Sequence, residues 1–212
     1  MYESERKELI RKLSDNGITD TSVLKAMWEV ERHLFVPEAV SPHAYRDVAL
    51  PIGSGQTISQ PYTVAFMTQA LRVTPDMKIL EIGTGSGYQA AILVKMGAKV
   101  FTIERQDEIF LRTQKLFDVL GIRAVMRLGD GTIGWSEYAP FDGIIVTAGS
   151  PVVPVNLKKQ LAVGGRLVIP VGDRKTQMLK IITKTAEEQY SEQDIPSFAF
   201  VPLIGKEGWK EK

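Results

Sequence analysis

Three acids stand at the ends of short apolar runs in the middle of this chain. Glu81 closes Lys78-Ile-Leu-Glu81, Glu104 closes Thr102-Ile-Glu104, and Asp130 sits in Gly129-Asp-Gly131. The first is followed at once by Gly83, Thr84, Gly85, Ser86 and Gly87. Glycine in such a turn permits positive φ and lets a ligand approach the backbone. Carboxylates beside it can hold cationic or hydroxyl-bearing parts of that ligand. Other chemistries are excluded by composition. The chain has no cysteine, which rules out disulfides, thiolate metal sites and cysteine nucleophiles. Its histidines, His33 and His43, are too few for a histidine-rich metal cluster, and no metal is expected.

The elements that must position these residues follow from periodicity. Residues 4–13 and 20–32 read as amphipathic helices, the second with Val23, Leu24, Met27 and Val30 at helical spacing and Asp20 or Thr21 as cap. Residues 34–61 are rich in Pro and Gly and irregular, a type of stretch that is often functional. Pro61 suits the first turn of a helix over 61–72. From residue 78, strand and helix alternate. Strands are expected at 78–82, 99–103, 124–128 and 143–147, and helices run to about 96 and about 120. A helix over 154–163 should stop at Gly164-Gly165, and strands follow at 166–171, 178–183 and 198–201. Alternating short apolar strands and helices imply an α/β, doubly wound, mostly parallel Rossmann-like sheet. The closely spaced last strands imply an antiparallel C-terminal edge. Residues 1–60 form an N-terminal helical extension with an active-site loop, and 61–212 a ligand-binding core, together one structural domain.

In such a sheet, ligands bind beyond the carboxyl ends of the strands. The dinucleotide fingerprint G-x-G-x-x-G/A fails here, because Tyr88 occupies its last slot counted from Gly83. The pattern E-x-G-x-G-x-G instead resembles the first motif of S-adenosylmethionine-dependent methyltransferases. Glu81 would hold cationic parts of that cofactor. Glu104 lies where this architecture grips ribose hydroxyls. In methyltransferases, an acid at the place of Asp130 faces the adenine amino group. Each feature also has a plainer reading, the turn as a tight connection and the acids as helix caps. Their recurrence after consecutive strands favours the cofactor.

A more specific resemblance extends over roughly residues 30–205. The blocks are Phe35-Val-Pro37, Ala44-Tyr-Arg-Asp47, Leu50-Pro-Ile-Gly53, Gln56-Thr-Ile-Ser-Gln-Pro61, Leu80-Glu-Ile-Gly-Thr-Gly-Ser-Gly-Tyr-Gln-Ala90, Gly129-Asp-Gly131, Pro140-Phe-Asp142, Gly164-Gly-Arg166, Pro170-Val-Gly172 and Phe200-Val-Pro-Leu203. Together they resemble the protein-L-isoaspartate O-methyltransferases, and Gln56 to Pro61 is the block most specific to that family. The resemblance implies methylation of the α-carboxylate of L-isoaspartyl residues in damaged proteins and peptides, initiating repair to aspartate. It implies that Ser59 is catalytic, its hydroxyl bonding the attacking carboxylate. It implies that Gln56, Thr57, Ile58 and Gly131 contact cofactor, and that Thr57, Ile58, Val201 and Pro202 contact substrate. Ser59 could instead cap a helix, though Pro61 at the first helical position makes Gln60 the cap. The segment Phe200 to Leu203 could equally be an ordinary edge strand. After Leu203, where some relatives place polar cofactor contacts, the chain reads Ile204-Gly-Lys-Glu-Gly-Trp-Lys210.

Net charge is +1, so bulk charge does not point to nucleic acid. No apolar run of membrane-spanning length occurs and no signal peptide is read, so a cytoplasmic monomer acting on proteins and peptides is expected. The alternative is a methyltransferase of the same fold acting on a nucleic-acid base or small molecule. Base-methylating enzymes commonly carry an Asp/Asn-Pro-Pro-aromatic motif after the fourth strand. Thr147-Ala-Gly-Ser-Pro151 stands there instead.

Overall fold

The computed structural model describes residues 2–210. Two helices come first, α1 (Glu3–Asp15) and α2 (Thr21–Glu29). Asp20 caps α2 by accepting hydrogen bonds from the backbone N–H groups of Ser22 and Val23. The helix ends at Glu29 rather than at residue 32. Arg32–Phe35 instead forms a 3₁₀ turn that carries the chain into the irregular stretch. Within that stretch lies a small antiparallel hairpin, β1 (Leu50–Gly53) and β2 (Gln56–Ile58), with Leu50 opposite Ile58. Pro61 then opens α3 (Pro61–Leu71), with Gln60 at the N-cap position.

The core alternates as the periodicity requires: β3 (Lys78–Ile82), α4 (Tyr88–Lys95), β4 (Lys99–Glu104), α5 (Asp107–Leu120), β5 (Val125–Leu128) and β6 (Phe141–Val146). Next come α6 (Val155–Lys159), β7 (Leu161–Gly172), β8 (Gln177–Ala186) and β9 (Gln189–Phe198). The large sheet has the order β5-β4-β3-β6-β7-β8-β9. Strands β5 to β7 pair in parallel, and β8 and β9 add antiparallel strands at one edge. No helix among the described residues is long and apolar enough to cross a membrane.

Alternation along β3 shows how both faces are covered. Ile79 packs among the apolar side chains of α1 to α4, whereas Leu80 and Ile82 pack on the other face with Trp135, Leu157 and Leu203. Burying one such aliphatic side chain contributes about 1.5–3 kcal/mol. The order in which strands are added reverses at β3, with β4 on one side and β6 on the other. That switch point opens a crevice at the strands' carboxyl ends.

Two late elements differ from the sequence expectation. Helix α6 has five residues, and β7 already begins at Leu161. Gly164 and Gly165 do not end a helix; they lie where the register jumps from Phe141↔Leu161 to Gly143↔Arg166. A Cβ on Gly165 would stand 3.0 Å from the carbonyl oxygens of Phe141 and Asp142, so the glycine permits a close backbone approach. The last strand lies at Gln189–Phe198, not at 198–201. Residues 200–203 run outside it, with Pro202 bridging Gly149.

Candidate active site

The glycine turn is fastened from both neighbouring strands. Gly83 N–H donates to the Ile103 carbonyl (2.9 Å), and Thr147 Oγ1 donates to the carbonyls of Ile82 (3.0 Å) and Gly83 (2.7 Å). Glu104 stands at the end of β4 and accepts through both oxygens. Oε2 takes the Gly85 N–H (2.9 Å), and Oε1 takes those of Arg105 (2.8 Å) and Gln106 (2.9 Å). The turn therefore presents its backbone over a carboxylate fixed by three N–H groups. Positive φ at Gly83 (96°), Gly85 (53°) and Gly87 (85°) makes this path possible.

Glu81 is fully buried beneath the turn. Thr84 and Thr102 hydroxyls lie 2.7 Å apart, and Thr102 Oγ1 donates to Glu81 Oε2 at 2.5 Å. Glu81 Oε1 has no hydrogen-bond partner. Burial pushes the carboxyl up to about 8, with the nearby Glu104 adding to the rise. A buried acceptor lacking a donor, at the base of a cavity, suits a cationic ligand group. This is the fit expected of S-adenosylmethionine's ammonium.

One cavity brings together most of the sequence-predicted site. Its lining includes Gln56, Thr57, Ile58, Ser59, Glu81, Gly83, Thr84, Gly85, Ser86, Glu104, Gly131, Val201 and Pro202. Gly87 and Asp130 are not in that lining. A Cβ on Gly87 would collide with Phe117 and Thr113 of α5, so this glycine lets α4 and α5 pack closely. Asp130 is engaged elsewhere: Oδ1 accepts from Thr132 N (2.9 Å) and Oγ1 (2.7 Å), and Oδ2 from Lys206 N (2.8 Å). Partial burial works to raise its pKa, but these donors hold the carboxyl below its usual value. It ties the C-terminal loop to the sheet. The cavity also takes in residues the spacing did not single out, among them Met67, Gln89, Thr147 and Ile204.

A second cleft adjoins the first and shares Thr57, Ser59, Thr147 and Val201 with it. Tyr62, Phe66, Phe198 and Phe200 give it an aromatic wall, and Phe66 and Phe198 lie 5.8 Å apart, centroid to centroid. No Asp, Glu, His or Cys lines it among the described residues. The segment after β9 is held by paired backbone bonds to the loop after β6, from Gly149 N to the Val201 carbonyl (2.7 Å) and from Leu203 N to the Gly149 carbonyl (2.8 Å).

The Ser59 end of this wall is positioned by two residues that sequence reasoning missed. Asp47 accepts from Tyr62 N–H (2.8 Å) and from Gln60 Nε2 (3.1 Å), capping the first turn of α3 from a distance. Gln60 itself makes no side-chain cap. Arg32 is completely buried, and its Nη2 donates to the Ser59 carbonyl at 2.8 Å. Nothing in the sequence singles it out: it stands between Glu31 and His33 at the end of the expected second helix.

Comparison with known proteins agrees with this geometry. The sequence model of the protein-L-isoaspartate(D-aspartate) O-methyltransferase (PCMT) family matches residues 4–208. The chain belongs to the PCMT family. Among its PCMT relatives, a protein-L-isoaspartate O-methyltransferase of Cytophaga hutchinsonii is 50% identical over all of this chain and 96% of its own length. One of Syntrophotalea carbinolica is 53% identical over 92% of this chain and 91% of its own. A solved protein-L-isoaspartate O-methyltransferase superposes with a TM-score of 0.87 at 28% identity, covering 96% of this chain and 67% of that one. A Plasmodium falciparum protein assigned to the same activity, solved with S-adenosyl-L-homocysteine, gives 0.82 at 26% identity over 94% of this chain and 98% of its own. The fold is thus the Rossmann-like methyltransferase fold, and the cofactor is that of the PCMT family, S-adenosylmethionine. No group of three or more His, Cys, Asp or Glu residues placed to hold a metal occurs among the described residues.

Proposed function

We propose that this chain methylates the α-carboxylate of L-isoaspartyl residues in damaged proteins and peptides, the first step of their repair to aspartate. The observation that carries this reading is the wall at Ser59, common to the glycine-turn cavity and to a cleft without carboxylates. S-adenosylmethionine, when bound, supplies a methyl group on a sulfonium sulfur. In this reading Gly83, Thr84, Gly85 and Ser86 hold the cofactor with their backbone and hydroxyls. Glu81 takes its cationic end, and Glu104 and Gly131 lie along the same cavity. Gln56 and Ile58 close the cavity from the loop side. Thr57, Ser59, Val201 and Pro202 hold the acceptor peptide, whose backbone can pair along 200–203 as an added strand.

The acceptor needs no general base. An α-carboxyl has a pKa of roughly 3.3–3.7 and is ionised at neutral pH. The absence of acids from the cleft lining avoids repelling it. What remains for the protein is alignment and exclusion of water, and misplacement by about 1 Å can cost about a hundredfold in rate. The Ser59 hydroxyl sets the carboxylate's angle. The proposal also places the protein in the cytoplasm, as a monomer acting without nucleic acid.

The test pairs two peptides identical except for isoaspartyl or aspartyl linkage. Methyl transfer is expected to the first only, and Ser59→Ala should lower kcat by about a hundredfold while S-adenosylhomocysteine binds as before. Equal transfer to both peptides would overturn the acceptor assignment. Undiminished turnover in Ser59→Ala would overturn the role of Ser59.

A further inference from the structure

We propose that Arg32 is a positioning residue for methyl transfer, holding the Ser59 backbone so that the hydroxyl meets the acceptor. The inference rests on the assignment of Ser59 above. Arg32 has no exposed surface and forms no ion pair among the described residues. Two of its three nitrogens donate instead to backbone carbonyls of the 44–59 stretch, while Nη1 has no hydrogen-bond partner. Nε donates to Ala44 (2.8 Å), and Nη2 donates to Ser59 (2.8 Å) and, at longer range, to Val48 (3.4 Å). The guanidinium carbon stands 4.9 Å from the centroid of the Tyr88 ring. Tyr88 opens α4 directly after the glycine turn and lines the cofactor cavity. One side chain therefore links the acceptor loop to the helix that carries the cofactor turn.

Burying a guanidinium is costly, and no direct ion pair among the described residues offsets that cost, although Asp47 lies near enough to favour the charge. Burial lowers its pKa to about 10, so it stays charged at neutral pH. What it supplies is a planar fork of donors reaching several carbonyls at once, which a lysine ammonium cannot reproduce. The loop it closes has only a short ladder of its own: between residues 30 and 61 the only strands are the four-residue β1 and three-residue β2, paired with each other and not with the large sheet. Asp47 fixes the far side of the same segment through Gln60 and Tyr62. Ser59 thus lies between two anchors, one on its own carbonyl and one on the following turn.

The test compares Arg32→Lys and Arg32→Met with the parent enzyme. Turnover of an isoaspartyl peptide should fall about tenfold in Arg32→Lys and about a hundredfold in Arg32→Met, lysine thus giving partial rescue. The KM for peptide and the Kd for S-adenosylhomocysteine should stay within about threefold, which a general loosening of the core would not allow. Hydrogen exchange of the cofactor-free protein should quicken at residues 56–62 and stay unchanged in β3, β4 and β6. Parent-level kcat in Arg32→Lys with an intact fold would overturn the proposal. So would parallel losses of kcat, affinity and sheet protection. Ser59→Ala, measured beside them, separates the two readings. If it keeps its turnover, the Ser59 assignment fails and the Arg32 inference with it. If it loses turnover while the Arg32 variants do not, only the Arg32 inference fails.

Discussion

The cavity under the glycine turn and the cleft beside it share a wall but are built differently. The first takes much of its lining from two short stretches, 81–89 and 103–106, that follow adjacent parallel strands. The second takes residues 49–66 from one part of the chain and 175–201 from another. In the first, backbone N–H groups and strand-end carboxylates do the holding, and their geometry is fixed by the sheet. In the second, each wall is held by long-range contacts, Arg32 and Asp47 on one side and Gly149 on the other. On the proposed assignment, a parallel sheet thus supplies cofactor geometry locally, whereas acceptor geometry has to be assembled.

The sharpest way to break that contrast is to compare two glycines with similar backbones. Gly83 has φ 96° and Gly164 has φ 86°. A Cβ at Gly83 would meet Thr147 Oγ1 at 2.5 Å, while a Cβ at Gly164 would meet nothing within 4 Å. Both alanine variants carry backbone strain of about 1–3 kcal/mol. Only Gly83→Ala also displaces the threonine that holds the turn. Its affinity for S-adenosylhomocysteine, followed by calorimetry, should drop about a hundredfold, or about 2.7 kcal/mol. Gly164→Ala should bind within about twofold of the parent. Equal affinities in all three proteins would mean that the turn does not shape the cofactor site.

A smaller effect is expected at Glu81, where the local wall carries a buried charge. Its carboxyl titrates at about 8 in the folded protein against an ordinary value of 4.5. Below the ordinary value it is neutral in both folded and unfolded chains, and burial costs nothing extra. As pH rises from 4.5 through about 8, the folded chain holds a proton that the unfolded chain has lost, so stability declines. Above about 8 the full cost is present. Glu81→Gln removes this dependence. Between about pH 6.5 and about pH 8 the cofactor-free parent should lose about 1–2 kcal/mol more stability than the variant. Binding of S-adenosylhomocysteine should weaken about tenfold, since the variant lacks the anion. Coincident stability profiles, measured by urea unfolding, would remove the buried charge from the account.

The same contrast decided what was legible in the sequence. The mostly parallel sheet, its antiparallel edge and the lining by Glu81, Gly83, Gly85 and Glu104 followed from apolar runs that end in acids and glycines. Gly87 has the same conformation and spacing but faces α5, and which side of a glycine meets a neighbour is a tertiary fact. Asp130 also follows a strand, yet it accepts from the Lys206 N–H, a contact spanning 76 residues of the chain. Strand β9 was missed because an edge strand with solvated side chains has no apolar alternation, and Gln189–Phe198 includes Glu192, Asp194 and Pro196. The placement of Ser59 against the cofactor cavity came from family resemblance. The residues that hold it there, Arg32 and Asp47, became evident only once the loop was folded.

The acceptor side offers the smallest effect and the finest test of the comparison. Lys175 is the one Lys, Arg, Asp or Glu among the residues lining the acceptor cleft. It sits exposed at the rim, on a turn tied by Asp173 Oδ1, which accepts from the N–H groups of Lys175 (2.6 Å) and Thr176 (2.8 Å). Gln177 joins that turn to the substrate wall, donating to the Asp173 carbonyl and accepting from Phe200 N–H (2.8 Å). The turn is therefore held in place, but the ammonium stays in water, where an ion pair contributes about 0.2–1 kcal/mol. Lys175→Ala should raise the KM for isoaspartyl peptides with acidic flanking residues by no more than about fivefold. Neutral-flanked peptides should change less, and the difference should shrink at about 0.5 M salt, where screening reaches within a few ångströms. S-adenosylhomocysteine affinity should not move, because Lys175 lines only the assembled cleft. A salt-independent change, or one that appears equally in cofactor binding, would mean that the two cavities are less separate than their walls indicate.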